Sequence, residues 1–298
     1  MTREARERLA RVEKASSVAP AMDDKAPPDN TVVPLHGPIE TIRREVDGID
    51  TTLLSLIAER LQLADKLAAA KAPQAGLPIR PGREVALLRR LVASAPAPLE
   101  RELIVEIWRA LIGASLRRQR VIDVAVGGNP KDFKLFDHAR RHFGARARID
   151  FAGEMPVDAL RRAADNPQSW VAVTPWPAAP NVGAWWPALT ESRYNKLHLI
   201  AALPVLREGE EGPRAAVFAA SAPEEAGDDV TLLIAFDPHH RIQRALNDQG
   251  LTGKEVARAE PRVLVRVEGF LGVDDPRASA MTRSGLDSVR VLGSYARI

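Results

Sequence analysis

Between Ile39 and Lys71, apolar residues recur at alternating steps of four and three: Ile42, Val46, Ile49, Leu53, Leu56, then Leu63, Leu67 and Ala70. Such a seam predicts one long helix packed lengthwise on others, ended by the breakers Pro73 and Gly76. A second helix is expected from near Pro81 to about Ser94, with Leu88, Leu91 and Ala95 on its buried side. A third runs from about Pro98 to Gln119 and buries Leu103, Ile104, Ile107, Trp108, Leu111 and Ile112. No part of 39–120 reads as a strand.

At Val121 the period changes. "VIDVAVGG", "ARIDFAG" and "SWVAVTPWP" read as strands, with the helices "DFKLFDHARRHFG" and "VDALRRAADNP" between them. That alternation predicts a parallel or mixed sheet with covering helices. "KLHLIAALPVL" and "PRAAVFAAS" add two strands, and "APEEAGD" (222–228) reads as a linker. The remainder, 229–298, reads strand "VTLLIAF", helix "RIQRALNDQGL", strand "RVLVRVEGF", helix "DPRASAMTRSG" and strand "VRVLGSYA", a small α+β sandwich. Residues 1–38 are polar and Pro-rich and read as a flexible leader. The expected organisation is leader 1–38, an all-α three-helix domain 39–120, an α/β domain 121–221 and an α+β domain 229–298.

Composition narrows the chemistry. Cysteine is absent, which excludes disulfides, thiol catalysis and thiolate metal sites. The net charge of +3 comes from an Arg-rich chain without an aromatic-studded basic stripe, so a nucleic-acid partner is not expected. Neither an apolar signal region nor a window near the ~20 apolar residues of a membrane span is present. No membrane association and a cytoplasmic location are expected.

One position in the first seam is anomalous. Between Leu56 and Leu63 the core side is held by Arg60, whose guanidinium keeps its charge at any physiological pH. Lys71 lies eleven residues on, about three turns along the same face. Ser115 and Gln119 extend the stripe of Trp108, Leu111 and Ile112 on the third helix, and Glu84 stands on the buried side of the second, beside Arg83. An ion-pair network, Arg60 with Glu84 and Lys71 with another acid, accounts for any one of these. As a set, the cations Arg43, Arg60, Lys71 and Arg83 outnumber the acid Glu84, which suits a small polyanionic ligand held by bidentate Arg forks.

These residues carry a resemblance. The stretch 39–120, with its order "R…D…LL…ER…K…RE…S…Q", resembles an all-helical chorismate mutase domain. The resemblance implies an intertwined homodimer and chorismate as the substrate. It implies that Arg43, reaching into the partner's site, and Arg60 hold the two carboxylates, that Lys71 and Gln119 bond the ether oxygen, and that Ser115 helps bind a carboxylate. Arg83 and Glu84 match the "RE" that opens the second helix, with Glu84 near the substrate hydroxyl. Where the family has "DPxRE" this chain has "RPGRE", so Arg80 stands in place of an aspartate. The reaction so implied is pericyclic and needs no metal or cofactor. Two other functions fit the same helices: isochorismate pyruvate lyase, and a non-catalytic regulatory or interaction protein.

Residues 121–298 resemble a prephenate dehydratase with a C-terminal ACT domain, the partner of chorismate mutase in some bacterial fusions. A substrate-binding lobe is missing after "LPVL", and Pro213-Arg214-Ala215 stands where the catalytic threonine belongs. The resemblance therefore implies a degenerate domain without dehydratase activity. "VEGFLGVDDPRASAM…VRVLGSYA" resembles the end of an ACT domain and leaves room for an aromatic amino-acid effector. His138 and His142, one turn apart, lack a third metal ligand and read as a solvated helix face. "VGGNP" is a weak dinucleotide-turn pattern, and Trp176, Trp185 and Trp186 read as local packing. Because every candidate site residue precedes Val121, the helical part is expected to work alone.

Overall fold

The computed structural model describes residues 37–70, 76–178, 183–207 and 212–298. Residues 1–36 of the expected leader and Lys71 lie outside the described residues. The chain divides into two units, Met1–Thr52 and Leu53–Ile298. Helix α1 is Pro38–Ala70. In the first unit its apolar seam is exposed, with Ile42, Val46 and Ile49 each showing about half of their surface or more.

The second unit holds the rest of α1, then α2 (Pro81–Ala93) and α3 (Arg101–Gln119). Pro81 opens α2 where a missing N–H is harmless, and Glu84 in its first turn faces the positive end of the helix dipole. The α/β part follows as β1 (Asp123–Gly127), α4 (Phe133–Phe143), β2 (Arg148–Gly153), α5 (Pro156–Asp165), β3 (Trp170–Pro175), β4 (His198–Leu203) and β5 (Ala215–Ala219). Then come β6 (Asp229–Phe236), α6 (Ile242–Asp248), β7 (Gly253–Ala259), β8 (Arg262–Glu268), α7 (Pro276–Ala280) and β9 (Ser288–Ala296). The expected mixed α/β architecture after the helices is present. One strand was not expected: β7, "GKEVARA", is an edge strand whose charges protect it from pairing outward and hide its strand character in the sequence.

All these strands join one sheet in the order β2-β1-β3-β5-β4-β9-β6-β8-β7. β1 pairs in parallel with β2 and β3, as a βαβ connection requires, while β3-β5-β4 and β9-β6-β8-β7 are antiparallel runs. The two runs meet through Leu199 and Gly293, on β4 and β9. Alternation along the strands sorts the core. Val124 and Val126 of β1, with Val171 and Val173 of β3, face one side; Ala125 and Ala172 face the other, beneath α5. Trp176, Trp185 and Trp186 are buried on that second side, as packing residues.

The first side is covered by α2, α3 and α4. Leu88 of α2 and Val105, Ile112 and Leu116 of α3 belong to the same cluster as Val124, Val171, Ile200 and Val217 of the sheet. The helices therefore do not own a separate core. The buried face of α3 overlaps the expected one only in part: Ile104 and Ile112 are buried as expected, but so are Val105, Arg109 and Leu116, whereas Leu103 and Ile107 are 45% and 42% exposed. Apolar residues occur on most sides of this helix, so periodicity did not select the face; the sheet and α4 did. Their approach is close, since a Cβ on Gly113 would lie 2.4 Å from the Phe143 carbonyl oxygen at the end of α4.

His142, on the last turn of α4, is buried rather than solvated, its ring edge-on to Phe143 at 4.8 Å and its Nδ1 without a partner. Burial, with the Arg109 charge adding to it, holds its pKa well below the usual histidine range.

Two outcomes follow from this packing. A fragment ending at residue 120 exposes Leu88, Val105, Ile112 and Leu116, so it should show no cooperative thermal unfolding by circular dichroism; a sharp transition would show that the helices fold without the sheet. His142 stays neutral in the folded chain while the unfolded chain gains its proton below about pH 6.5. Stability should therefore fall as pH drops below that value, by at most ~1.4 kcal/mol per pH unit for this group. His142→Gln should shrink the melting-temperature difference between about pH 7.5 and 5.5, and an unchanged difference would exclude His142 as the source.

Candidate active site

The second-unit part of α1, together with α2 and α3, encloses a groove of about 300 Å³. Its walls carry Arg60, Leu63 and Leu67 from α1, Arg83, Glu84 and Leu87 from α2, and Ile112, Ser115 and Gln119 from α3, with Arg80 just before α2. Six of the eight residues singled out in the sequence thus line one cavity. Of the other two, Lys71 lies outside the described residues, and Arg43 belongs to the first unit, where it is exposed and 3.5 Å from Glu40.

Arg60 replaces a seam leucine and lies half-buried. It donates to the Leu111 carbonyl at 3.3 Å and the Ser115 hydroxyl at 3.0 Å, both neutral. Ser115 is oriented in turn by donating to the Leu111 carbonyl at 2.8 Å, and the Gln119 amide donates to the Ser115 carbonyl at 3.3 Å. Burial without an acid lowers the Arg60 pKa from the ordinary arginine value. This is the direction expected when the charged form is left partly unsatisfied.

The alternative Arg60–Glu84 pair does not form. Glu84 is taken instead by Arg109, at 2.7 Å, with the Arg109 and Glu84 side chains 4% and 11% exposed. Arg109 also closes Nε and Nη2 on the His142 carbonyl, at 2.9 and 2.6 Å. The reason is burial. Deep in the protein a charge needs its partner most, and the side chain of Arg109 is the more enclosed of the two arginines. Glu84 keeps its other oxygen toward the Arg80 amide, at 3.4 Å.

Arg80 is exposed, and its Nε is bonded to Glu224. Glu224 belongs to the stretch 222–228 expected as a linker, which instead straps the start of α2. Gly82 is pressed so closely there that a Cβ would lie 2.8 Å from the Glu224 Cβ and 2.9 Å from the Glu225 carbonyl. Arg89 fastens the strap from the same helix, through the Ala226 carbonyl and, at 2.6 Å, the Arg297 carbonyl. At the surface, Arg118 of α3 grips Asp65 of α1 through two bonds, which pull the Asp65 carboxyl below its usual pKa.

Reasoning from sequence missed Arg109 and Glu224. Arg109 carried the same signal as Arg60, a guanidinium inside an apolar stripe (Val105, Ile112, Leu116). Glu224 carried none, because its partner is far away in the chain. No group of three His, Cys, Asp or Glu side chains able to hold a metal ion occurs among the described residues. No helix among them is long and apolar enough to cross a membrane.

The groove can therefore present an unneutralised guanidinium (Arg60), an exposed one (Arg83), a hydroxyl, an amide and one carboxylate anchored from behind. Such a set binds and orients a small anion, and it contains no nucleophile–base pair.

Comparison with known proteins finds likenesses over the helical part and over the sheet. Residues 42–120 match the family described as Chorismate mutase type II. The bifunctional chorismate mutase/prephenate dehydratase of Neisseria gonorrhoeae is 33% identical over 105 residues, 35% of this chain and 28% of that protein. That of Pseudomonas aeruginosa is 29% identical over 111 residues, 36% of this chain and 30% of that protein. By these matches the chain spans about three tenths of the length of the relatives, between 28% and 30%. Among solved structures, the prephenate dehydratase of Streptococcus mutans superposes with a TM-score of 0.40 at 15% identity, over 59% of this chain and 100% of that one. A protein described as "GqqA- a novel type of quorum quenching acylases" gives 0.39 at 14%, over 59% and 95%. At those scores neither structural likeness bears on function. Residues 42–120, the stretch that matches the chorismate mutase type II family, supply every described lining residue of the groove.

Proposed function

We propose that this chain rearranges chorismate to prephenate in aromatic amino-acid biosynthesis, with Arg60, Arg83, Ser115 and Gln119 binding and Lys71 completing the ether-oxygen site. The observation that carries the reading is Arg60: a half-buried guanidinium lining a groove, bonded only to neutral oxygens among its described hydrogen bonds. A carboxylate ligand would supply the missing charge bidentately. The rearrangement breaks one C–O bond and forms one C–C bond within a single molecule. What it asks of the protein is a compact conformer and stabilisation of charge growing on the ether oxygen. Gln119 can donate to that oxygen at any pH, and its present bond to the Ser115 carbonyl is long enough, at 3.3 Å, to exchange.

The active form in this reading is a homodimer. Leu53, Leu56, Leu63 and Leu67 of α1 are 44–57% exposed, an apolar face without a partner in the single chain. A second copy seated there would bring its Arg43 to the groove. The α/β part is proposed to lack dehydratase activity, since Pro213-Arg214-Ala215 stands in the segment that resembles the catalytic one.

Arg60→Ala should lower kcat/KM for chorismate by on the order of 10²–10³, as loss of one preorganised donor does, with melting within a few degrees of the parent. A variant that unfolds while its folded fraction stays active would make Arg60 structural. Gln119→Glu should move the activity optimum to acid, because only a protonated glutamate can donate to the ether oxygen; an unchanged profile would remove Gln119 from that role. Purified protein given prephenate should form phenylpyruvate no faster than buffer, and enzymatic formation would overturn the degenerate-domain reading.

A further inference from the structure

Glu84 raises a problem that the groove alone does not solve. Among the described residues it is the one acid lining a cavity that also holds Arg60, Arg80 and Arg83. A carboxylate free to turn would fold onto one of those guanidinium groups and quench it, since opposite charges attract strongly where water is scarce. It does not turn, because Arg109 holds it from the far side. We infer that Arg109 is a positioning residue of the site: it fixes the Glu84 carboxylate as a hydrogen-bond acceptor for a ligand hydroxyl and keeps it off the anion-binding arginines.

Geometry supports the assignment at three points. Arg109 is 3% exposed, so no water competes for its donors. Three of its nitrogens are committed, Nη1 to Glu84 Oε2 at 2.7 Å and Nε and Nη2 to one oxygen, the His142 carbonyl, at 2.9 and 2.6 Å. A planar fork closed on a single carbonyl cannot rotate, and that carbonyl is at the negative end of α4, where a cation is favoured. The hold on Glu84 is one-sided. Its Oε1 accepts only a long bond, 3.4 Å, from the Arg80 amide, and a carboxylate has about four lone-pair directions to offer. Room for a ligand hydroxyl is thus kept on the groove side. Through Arg109 the end of α4, in the α/β part, sets the position of a groove residue on α2.

The inference rests on the chorismate reading for its ligand, whose single hydroxyl is the group Glu84 would accept from. The test is a double-mutant cycle of the full chain: parent, Arg109→Met, Glu84→Gln, and both together, with Arg109→Lys as the conservative variant. Steady-state turnover of chorismate and thermal melting are measured for each. A residue that acts through Glu84 should cost ~10–100-fold in kcat/KM, the scale of one charged hydrogen bond, when Glu84 is present. It should cost less than about 2-fold in the Glu84→Gln background. Arg109→Lys, which keeps the charge but not the fork, should recover part of the loss. Equal losses in both backgrounds, or none in either, would overturn the inference and leave Arg109 a strut of the fold. Should Arg109→Met fail to fold, Arg109→Lys measured with and without Glu84→Gln separates the two roles by the same non-additivity. If the parent does not turn over chorismate, the mutase reading fails by itself. The cycle is then read by calorimetry as affinity for a bicyclic dicarboxylate bearing one hydroxyl, where the same non-additivity keeps the inference and absent or additive binding ends it.

Discussion

The contact on which the arrangement depends is the seating of α2 and α3 on the sheet. Leu88, Val105, Ile112 and Leu116 lose their water against Val124, Val171, Ile200 and Val217, and each fully buried aliphatic side chain contributes on the order of 1.5–3 kcal/mol. That burial decides which side of α3 is inward. It turns Ser115 and Gln119 toward the remaining surface of α1, where Arg60 waits. The groove is therefore a by-product of where two helices find their core, and on its far side α3 lies so close to the end of α4 that Gly113 leaves no room for a side chain.

Charge placement follows from the same seating. Arg109 is carried into the interior on the buried stripe, where it must be neutralised. The Glu84 carboxylate and the His142 carbonyl are what the packing brings within reach. Arg60 sits at the margin of the core, shallow enough to keep its charge on neutral oxygens alone. Two arginines in apolar stripes thus end in opposite conditions, one satisfied and one available, because their depths differ. The site also depends on the α/β part after Val121, through the His142 carbonyl on Arg109 and through Glu224 on Arg80. A groove built this way is braced by the chain that follows it.

Much of this was legible beforehand. The helices were readable from their periodicity and breakers, the change to β/α order at Val121 from the β-branched runs, and Arg60 from its place in a leucine seam. Six of the eight polar positions picked out line the cavity: helical spacing marked Arg60, Glu84, Ser115 and Gln119, with Arg83 beside Glu84, while Arg80 came only from the resemblance to a chorismate mutase domain. What spacing could not supply were relations between elements distant in the chain: the inward side of α3, the edge strand β7 with its charged sequence, the strap at 222–228, and the partner of each buried ion. An Arg60–Glu84 pair was the competing reading of the seam, and Arg109 takes Glu84 instead because burial, which no local pattern encodes, makes that pairing the stronger one. Sequence alone determined which residue types could meet an anion; tertiary structure decided which of them were already spent on each other, since neutralisation is a matter of depth and distance in three dimensions.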